Sequence, residues 1–585
     1  MVYRNSFQMI NSIVKTVNNS VNKLHKALNT LGFLLVIILN ILFIYLVYDI
    51  SFNVPYFDDF DAIGSFILNS ENKSLSTIIH NIFSQYAEHR IGFTRFISLA
   101  YFKIFGFVNF KHLILFGLLG LIGIQFLIYF QIRHLRYRFF LLSSSSAILL
   151  NFHYWENMMS AMTSLQNLFA PFFCLLGIYL LNKGSILKFR LTTYFIVFIA
   201  IFTSGNGLIL LPIGLLYIII TKESRGDHLM WIVFSFVMFY IYFYGYENPP
   251  EVFGGRSNNL QIITSPFFFI KNYTLFLTST LASIGISFNV CILLGIGLTL
   301  YIVFYCGRTF LTSDDKVNHR YFYVLVFAYL IGVSFMVAVN RGSHLENMLF
   351  SRYKIYSTLF IIFVFLSLIE FLSVNLIIWI YSIFSFFFFY SSLPFFSNLF
   401  NHFNELKYSC MTYYVNSSNW KGTYPPFTTH FTNAQTASII SQRMARSGYY
   451  NVPVLAEMNQ VMRNSKGNNI SFDCGENNQN VFPSHIKIDF ISKLINIKEN
   501  NYIEMKSNKC VGLFPLKYNL SKKDIFKKIL GIPIYVSSFS IIIPKSNIDH
   551  GLYEIKMNIS KSGSMSTCKI MDLNIPFQSS LQSHN

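Results

Sequence analysis

Three aspartates in four positions, Asp58, Asp59 and Asp61, stand in "VPYFDDFDAIGSF" (54–66), just beyond the first long apolar run. A carboxylate beside a hydroxyl can take its proton as that oxygen attacks, which is general-base chemistry. Further on, "AEHR" carries Glu88, His89 and Arg90, with Arg95 close behind. Glu156 stands in "HYWENMMS", Asn206 in "TSGNG", and Arg341, His344, Glu346 and Arg352 in "NRGSHLENMLFSR". A guanidinium stays charged and meets phosphate oxygens through two parallel N–H groups, so these arginines suit a phosphate. Each motif alone also reads as ordinary surface chemistry: a solvated capping loop, an ion-paired helix end, an interfacial anchor, an arginine closing a span. Their gathering on one face is what points to a site.

The elements that must position these residues are apolar. Of 585 residues, 53% are hydrophobic and 12% charged, about half the charged share of an ordinary soluble protein. Runs at 31–48, 113–130, 139–151, 165–181, 191–204, 207–220, 229–245, 286–306, 321–339, 353–371 and 374–394 read as helices, because a backbone in lipid must satisfy its own hydrogen bonds. The last two are split near "SVN", since one helix over both would be roughly 60 Å long. The expectation is a polytopic α-helical membrane protein with about eleven transmembrane helices.

Charge sets the orientation. The net +19 is not a nucleic-acid footprint, because no basic run is interleaved with a stacking platform. "QIRHLRYR" (131–138), "NKGSILKFR" (182–190), "TKESRGDH" (221–228) and "CGRTFLTSDDKVNHR" (307–320) are basic and read as cytoplasmic with residues 1–30. The alternate loops, which carry the candidate residues, then face outward. The run at 31–48 lacks a small-residue cleavage site and reads as a retained anchor. Residues 88–112, with Arg90, Arg95, Lys103 and Lys111 around an apolar face, read as an amphipathic helix in the outer interface. The whole of 49–112 is then a large outer loop with helices lying along the membrane.

Residues 398–585 read as a separate extracytoplasmic domain, α+β or β-rich. Helical spacing appears over 433–448, and strands over 532–543 and 551–560. Cys410, Cys474, Cys510 and Cys568 fall there, an even number that permits two disulfides in an oxidising compartment. Trp420, Tyr424 and Phe427 are available to stack on a sugar.

A transporter would place ionisable groups near the bilayer midplane. Here they converge at one membrane boundary, as chemistry on a lipid headgroup requires. A phosphate leaving group, an attacking hydroxyl and a membrane-embedded donor together describe glycosyl transfer from a polyprenyl-phosphate sugar.

The order "PYFDDFDAI", "EHRIGFTRF", "HYWEN", "TSGNGL" and "NRG…SRY" resembles the GT-C superfamily of membrane glycosyltransferases. Within it the chain is similar to the phage and bacterial enzymes that glucosylate O-antigen, the serotype-converting Gtr type. The resemblance covers roughly 30–395 and implies a GT-C-like catalytic domain over 31–397, with the first periplasmic loop at 49–112. It implies a base at Asp58 or Asp59, a second acid at Glu156, and donor-phosphate contacts from Arg352, Arg341 and Arg90. Asp61, Glu88, His89, Arg95, Asn206 and His344 become further active-site candidates. Some members use a divalent metal, and Asp58, Asp59 and Glu156 could supply oxygens to Mg2+ or Mn2+; no motif decides it. The implied partners are an undecaprenyl-phosphate sugar, a lipid-linked or surface polysaccharide acceptor and membrane lipids, at the bacterial inner membrane. A polysaccharide flippase and an O-antigen polymerase or ligase stand as alternatives.

Overall fold

The computed structural model describes residues 2–183, 187–221, 224–247, 265–311, 317–341, 345–372, 375–415, 434–451, 470–471, 476–481, 485–496, 502–506, 511–530, 532–544, 551–561 and 564–575. His344, Trp420, Tyr424, Phe427, Cys474 and Cys510 lie outside them, and any disulfide through Cys474 or Cys510 with them.

All eleven apolar runs are helical. Eight segments are long and apolar enough to cross a membrane: Asn22–Ile50, Phe110–Ile132, Ala161–Leu181, Arg225–Phe243, Phe288–Leu311, His319–Arg341, Ser351–Leu372 and Leu376–Thr412. Arg138–Leu149, Arg190–Ile201 and Gly205–Ile220 are shorter. The first of these covers only about 18 Å of a ~30 Å core. Eight described helices, rather than eleven, therefore meet the length of a full crossing.

The burial pattern is that of a lipid-facing bundle. Phe236, Leu300 and Leu311 are exposed, while Ser143, Ser144, Ser145 and Ser146 are fully buried. In lipid, polar side chains and small residues hold helices together, because apolar contact alone gains little over lipid. Asn40 donates to Gln125 at 2.8 Å and accepts from it at 3.1 Å, and Ser146 Oγ donates to the same Gln125. The helices Lys354–Leu372 and Asn375–Ser392 flank the expected break near "SVN", where residues 373–374 lie outside the described residues.

Residues 49–112 hold the helices Phe66–Ser70, Leu75–Phe83 and Gly92–Phe105 and a short hairpin, Gln85–Tyr86 with His89–Arg90. At 14 residues the longest of these helices spans only about 21 Å. The expected amphipathic helix thus starts at Gly92, and before it Glu88 stands in the turn and His89–Arg90 in a strand.

The C-terminal segment is not set off by a linker at 397/398, because that point falls inside the helix Phe396–Val415. Beyond it, one sheet runs Ile470–Ser471, Ser564–Ile575, Gly551–Lys561, Tyr502–Lys506, Val511–Pro515, and a second runs Glu476–Val481, His485–Asn496, Tyr535–Pro544. Pairing is antiparallel except between the first two strands of the larger sheet. Both strands read from the sequence are present, and 433–448 is helix Ala434–Arg446.

This segment docks on the first loop at several points. Lys528 pairs with Asp49, and Tyr450 OH donates to Asn53 O at 2.8 Å. A Cβ on Gly64 would stand 2.9 Å from Met444 Sδ and 3.0 Å from Ile440 Cγ2, so the helix Ala434–Arg446 lies directly on the acidic loop.

Candidate functional site

The acidic loop turns through Phe57, whose φ of 54° is left-handed and strained for a bulky side chain. The two aspartates that follow part company. Asp59 is fully buried. Its Oδ1 accepts from Met162 N at 2.7 Å, and its Oδ2 from Tyr56 N and Ala161 N at 3.1 and 3.2 Å. Two of those amides are orphan donors at the start of the helix Ala161–Leu181. Asp59 therefore joins the loop to a helix. Burial pushes its carboxyl up to about 7 against the pull of the three amides.

Asp58 is half-buried, and its Oδ1 accepts from Tyr86 OH at 2.8 Å. Burial, then the Asp58 charge, keeps the Tyr86 phenol protonated and a donor. Asp61 lies on the π-helical turn Phe60–Ser65, raised to about 6 by burial and then by Asp58.

The hairpin at 85–90 turns at Ala87, φ 52°. Its arginine is occupied by scaffold. Arg90 donates from Nε to Tyr242 O at 2.7 Å and from its two Nη atoms to Phe83 O and Tyr244 O at 2.6 Å. Arg95 likewise holds Asn81 O, Ser84 O and Ser84 Oγ. Both fix carbonyls that close the loop, Arg90 with its whole fork and Arg95 through Nη1 alone.

Glu88 pairs with Arg341, which carries the hairpin to the end of the helix Val317–Arg341. Burial would raise Glu88, but His89 and Arg341 outweigh it and hold the carboxyl below its usual range. Burial lowers the His89 imidazole, against the pull of Glu88. His89 lies over "TSGNG": a Cβ on Gly205 would stand 3.2 Å from its Nδ1. In the same stretch Phe202 O accepts from Phe93 N at 3.0 Å, and Asn206 Nδ2 donates to Tyr356 OH at 2.7 Å.

Glu156 and Arg352 meet where two loops dock. Glu156 Oε2 accepts from Arg352 N at 2.9 Å, Glu156 N donates to Ser351 Oγ, and Asn157 Nδ2 donates to Arg352 O. The Arg352 guanidinium is exposed and ringed by Tyr353, Glu156, Asp58 and Glu88. Carboxylates from the first loop, the hairpin and the 153–160 loop thus all act on its charge. Two neighbours escaped the sequence reading. His153 is fully buried and Lys354 is 8% exposed. One stood beside the chosen acid without a recognisable motif, and the other looked like the first residue of a span.

The structure thus brings Asp58, Glu88, Glu156, Arg341 and Arg352 together, with His89 and Asn206 beside them. Asp59, Arg90 and Arg95 belong to the framework. The expected Mg2+ or Mn2+ donor set does not fit: Asp59 directs both oxygens at backbone amides, and no three acidic, His or Cys side chains gather as ligands among the described residues. A separate small cavity lined by Arg190, Asp227, Tyr194 and Trp231 is built from the opposite ends of these helices. No protein-family model, curated protein or solved structure matches the chain.

Proposed function

We propose that the chain is an integral-membrane, inverting glycosyltransferase that moves a hexose from undecaprenyl phosphate to a hydroxyl of a surface glycan such as O-antigen. The observation that carries this reading is that the Asp58, Glu88 and Glu156 carboxylates all act on an exposed Arg352 at the end of apolar helices. Lipid-facing helix surface suits a polyprenyl tail, and a polar site at the helix ends suits a phosphate headgroup. The basic loops at the other helix ends support a cytoplasmic face there, which sets the site toward the periplasm.

In this reading the acceptor hydroxyl gives its proton to Asp58 as its oxygen attacks the anomeric carbon. The bond from that carbon to the phosphate oxygen breaks, and undecaprenyl phosphate leaves with the electron pair. Arg352 stabilises the charge that develops there, with Arg341 as a second cation once it loosens from Glu88. Tyr86 orients the base through its hydrogen bond to Asp58. Asp59, committed to three amides, is the weaker candidate.

The test uses membranes carrying wild type, Asp58→Asn or Asp59→Asn, supplied with labelled undecaprenyl-phosphate glucose and O-antigen. Wild type transfers label, and Asp58→Asn lowers the rate about 10²–10⁴-fold with unchanged melting. Equal transfer by all three proteins would refute the base assignment. No transfer by wild type would refute the donor or acceptor.

A further inference from the structure

The helix Lys522–Ile529 of the C-terminal segment divides its residues by face. Ile525 is fully buried, and buried Lys528 pairs with Asp49, close to the end of the first spanning helix. Lys523, Phe526 and Leu530, three and four residues apart, are exposed, with half-buried Lys527 between them. Leu530 is 71% exposed, and Ile532 beyond it is exposed as well. The helix carries four lysines against one acid, Asp524, which lies 3.9 Å from Lys527. Large apolar side chains gathered on an exposed face mark a contact surface, and lysines beside them give it the make-up of a helix lying in a lipid interface.

What adjoins this face identifies its occupant. On the helix Asn375–Ser392, Leu376, Ile380, Ile383, Phe387 and Tyr390 are exposed at helical spacing, so one apolar stripe faces outward along its whole length. Tyr390 closes the stripe, and its ring centroid lies 6.5 Å from that of Phe526 and 3.8 Å from Lys522 Nζ. The lipid-facing surface therefore continues from this helix onto Phe526. Held by Asp49 on one side and Tyr390 on the other, the helix Lys522–Ile529 stands at the ends of two apolar helices, where acyl chains give way to headgroups. Lysines placed there can lay their stems along apolar surface and carry the ammonium to a phosphate.

We propose that the helix Lys522–Ile529 lies in the membrane interface, with Phe526 and Leu530 among acyl chains and Lys523 and Lys527 on the headgroups of anionic phospholipids. The partner is a lipid surface rather than a second copy of the chain, because the face continues a lipid-facing stripe and carries an excess of cations. The inference holds whatever chemistry Asp58 performs. It makes the C-terminal segment a membrane-attached body, held by lipid as well as by its contacts to the first loop.

The experiment compares full-length Leu530→Trp with wild type, so that the difference spectrum reports the added indole. Both are placed in nanodiscs of phosphatidylcholine into which brominated phosphatidylglycerol or brominated phosphatidylcholine is mixed in rising proportion, the bromines lying near the glycerol. The added emission is expected to be blue-shifted, and quenched at a lower fraction of the brominated phosphatidylglycerol than of the brominated phosphatidylcholine. That preference, the ratio of the two half-quenching fractions, should fall about 5-fold for each of Lys523→Gln and Lys527→Gln added. High salt should lower it in the same direction. These proteins should melt alike in detergent, because no substituted side chain is fully buried. An added indole that neither lipid quenches overturns contact with the membrane. Equal quenching by the two lipids overturns the assignment to anionic headgroups. A blue-shifted, unquenched indole in a particle holding two chains gives the face to a second copy and overturns the proposal.

Discussion

Replacing Asp59 should damage folding rather than chemistry, and pH should expose the difference. In Asp59→Asn the side chain keeps one oxygen and turns an NH2 toward the other donors. At least one of the amides of Tyr56, Ala161 and Met162 is then unmet, at about 1–3 kcal/mol for each buried group. In wild type the folded carboxyl titrates at about 7, against an ordinary 3.8. The folded state therefore retains a proton that the unfolded chain releases between about pH 4 and pH 7. This contribution to stability is fully present below that window and falls as pH rises through it, by up to about 1.4 kcal/mol per pH unit. Asp59→Asn removes the titration and should flatten that part of the curve. The assay is fluorescence-detected size-exclusion melting from pH 4.5 to 8, with transfer measured on the fraction that remains folded. A variant that melts like wild type with the same pH slope, yet transfers no sugar, would refute the reasoning and make Asp59 the base.

Other outcomes follow from the same geometry. Arg90→Lys loses a fork that holds three carbonyls and should lower stability by about 1–3 kcal/mol; donor KM in the folded fraction should not change. Glu156→Gln can still accept from Arg352 N, so it should melt like wild type while losing roughly tenfold in turnover, about 1.4 kcal/mol of barrier. Glu156→Ala should lose both, and two variants equal in melting and rate would deny the carboxylate any role. Gly207→Ala would place a Cβ 2.4 Å from Ala200 C and O and 2.5 Å from Ile201 N. That backbone cannot yield cheaply, so a melting loss equivalent to about 1–3 kcal/mol is expected.

The helices were legible because lipid enforces one rule, backbone satisfaction within each segment, and every apolar run obeyed it. The hairpin at 85–90 was not legible, because its turn needs Ala87 at positive φ, which no local signal announces. Nor could sequence separate Asp58 from Asp59. Adjacent carboxylates look alike until a helix start more than a hundred residues away supplies the amides that claim one of them. Arg90 and Arg95 misled for the same reason: their partners are carbonyls, which every residue has. Lys354 and His153 went unread because burial, rather than residue type, makes them unusual.

The helix Ala434–Arg446 lying on the acidic loop ties the order of synthesis to the order of completion. Tyr450 OH reaches Asn53 O, and Val108 pairs with Tyr450, contacts between chain made early and chain made near the end. Closing so long a loop comes late in folding. A ribosome stalled before residue 434 therefore leaves the aspartates inserted but uncovered, and the carboxylate cluster acquires its finished surroundings only after the last apolar helix has emerged. The C-terminal segment in this sense finishes surroundings that the first loop only begins.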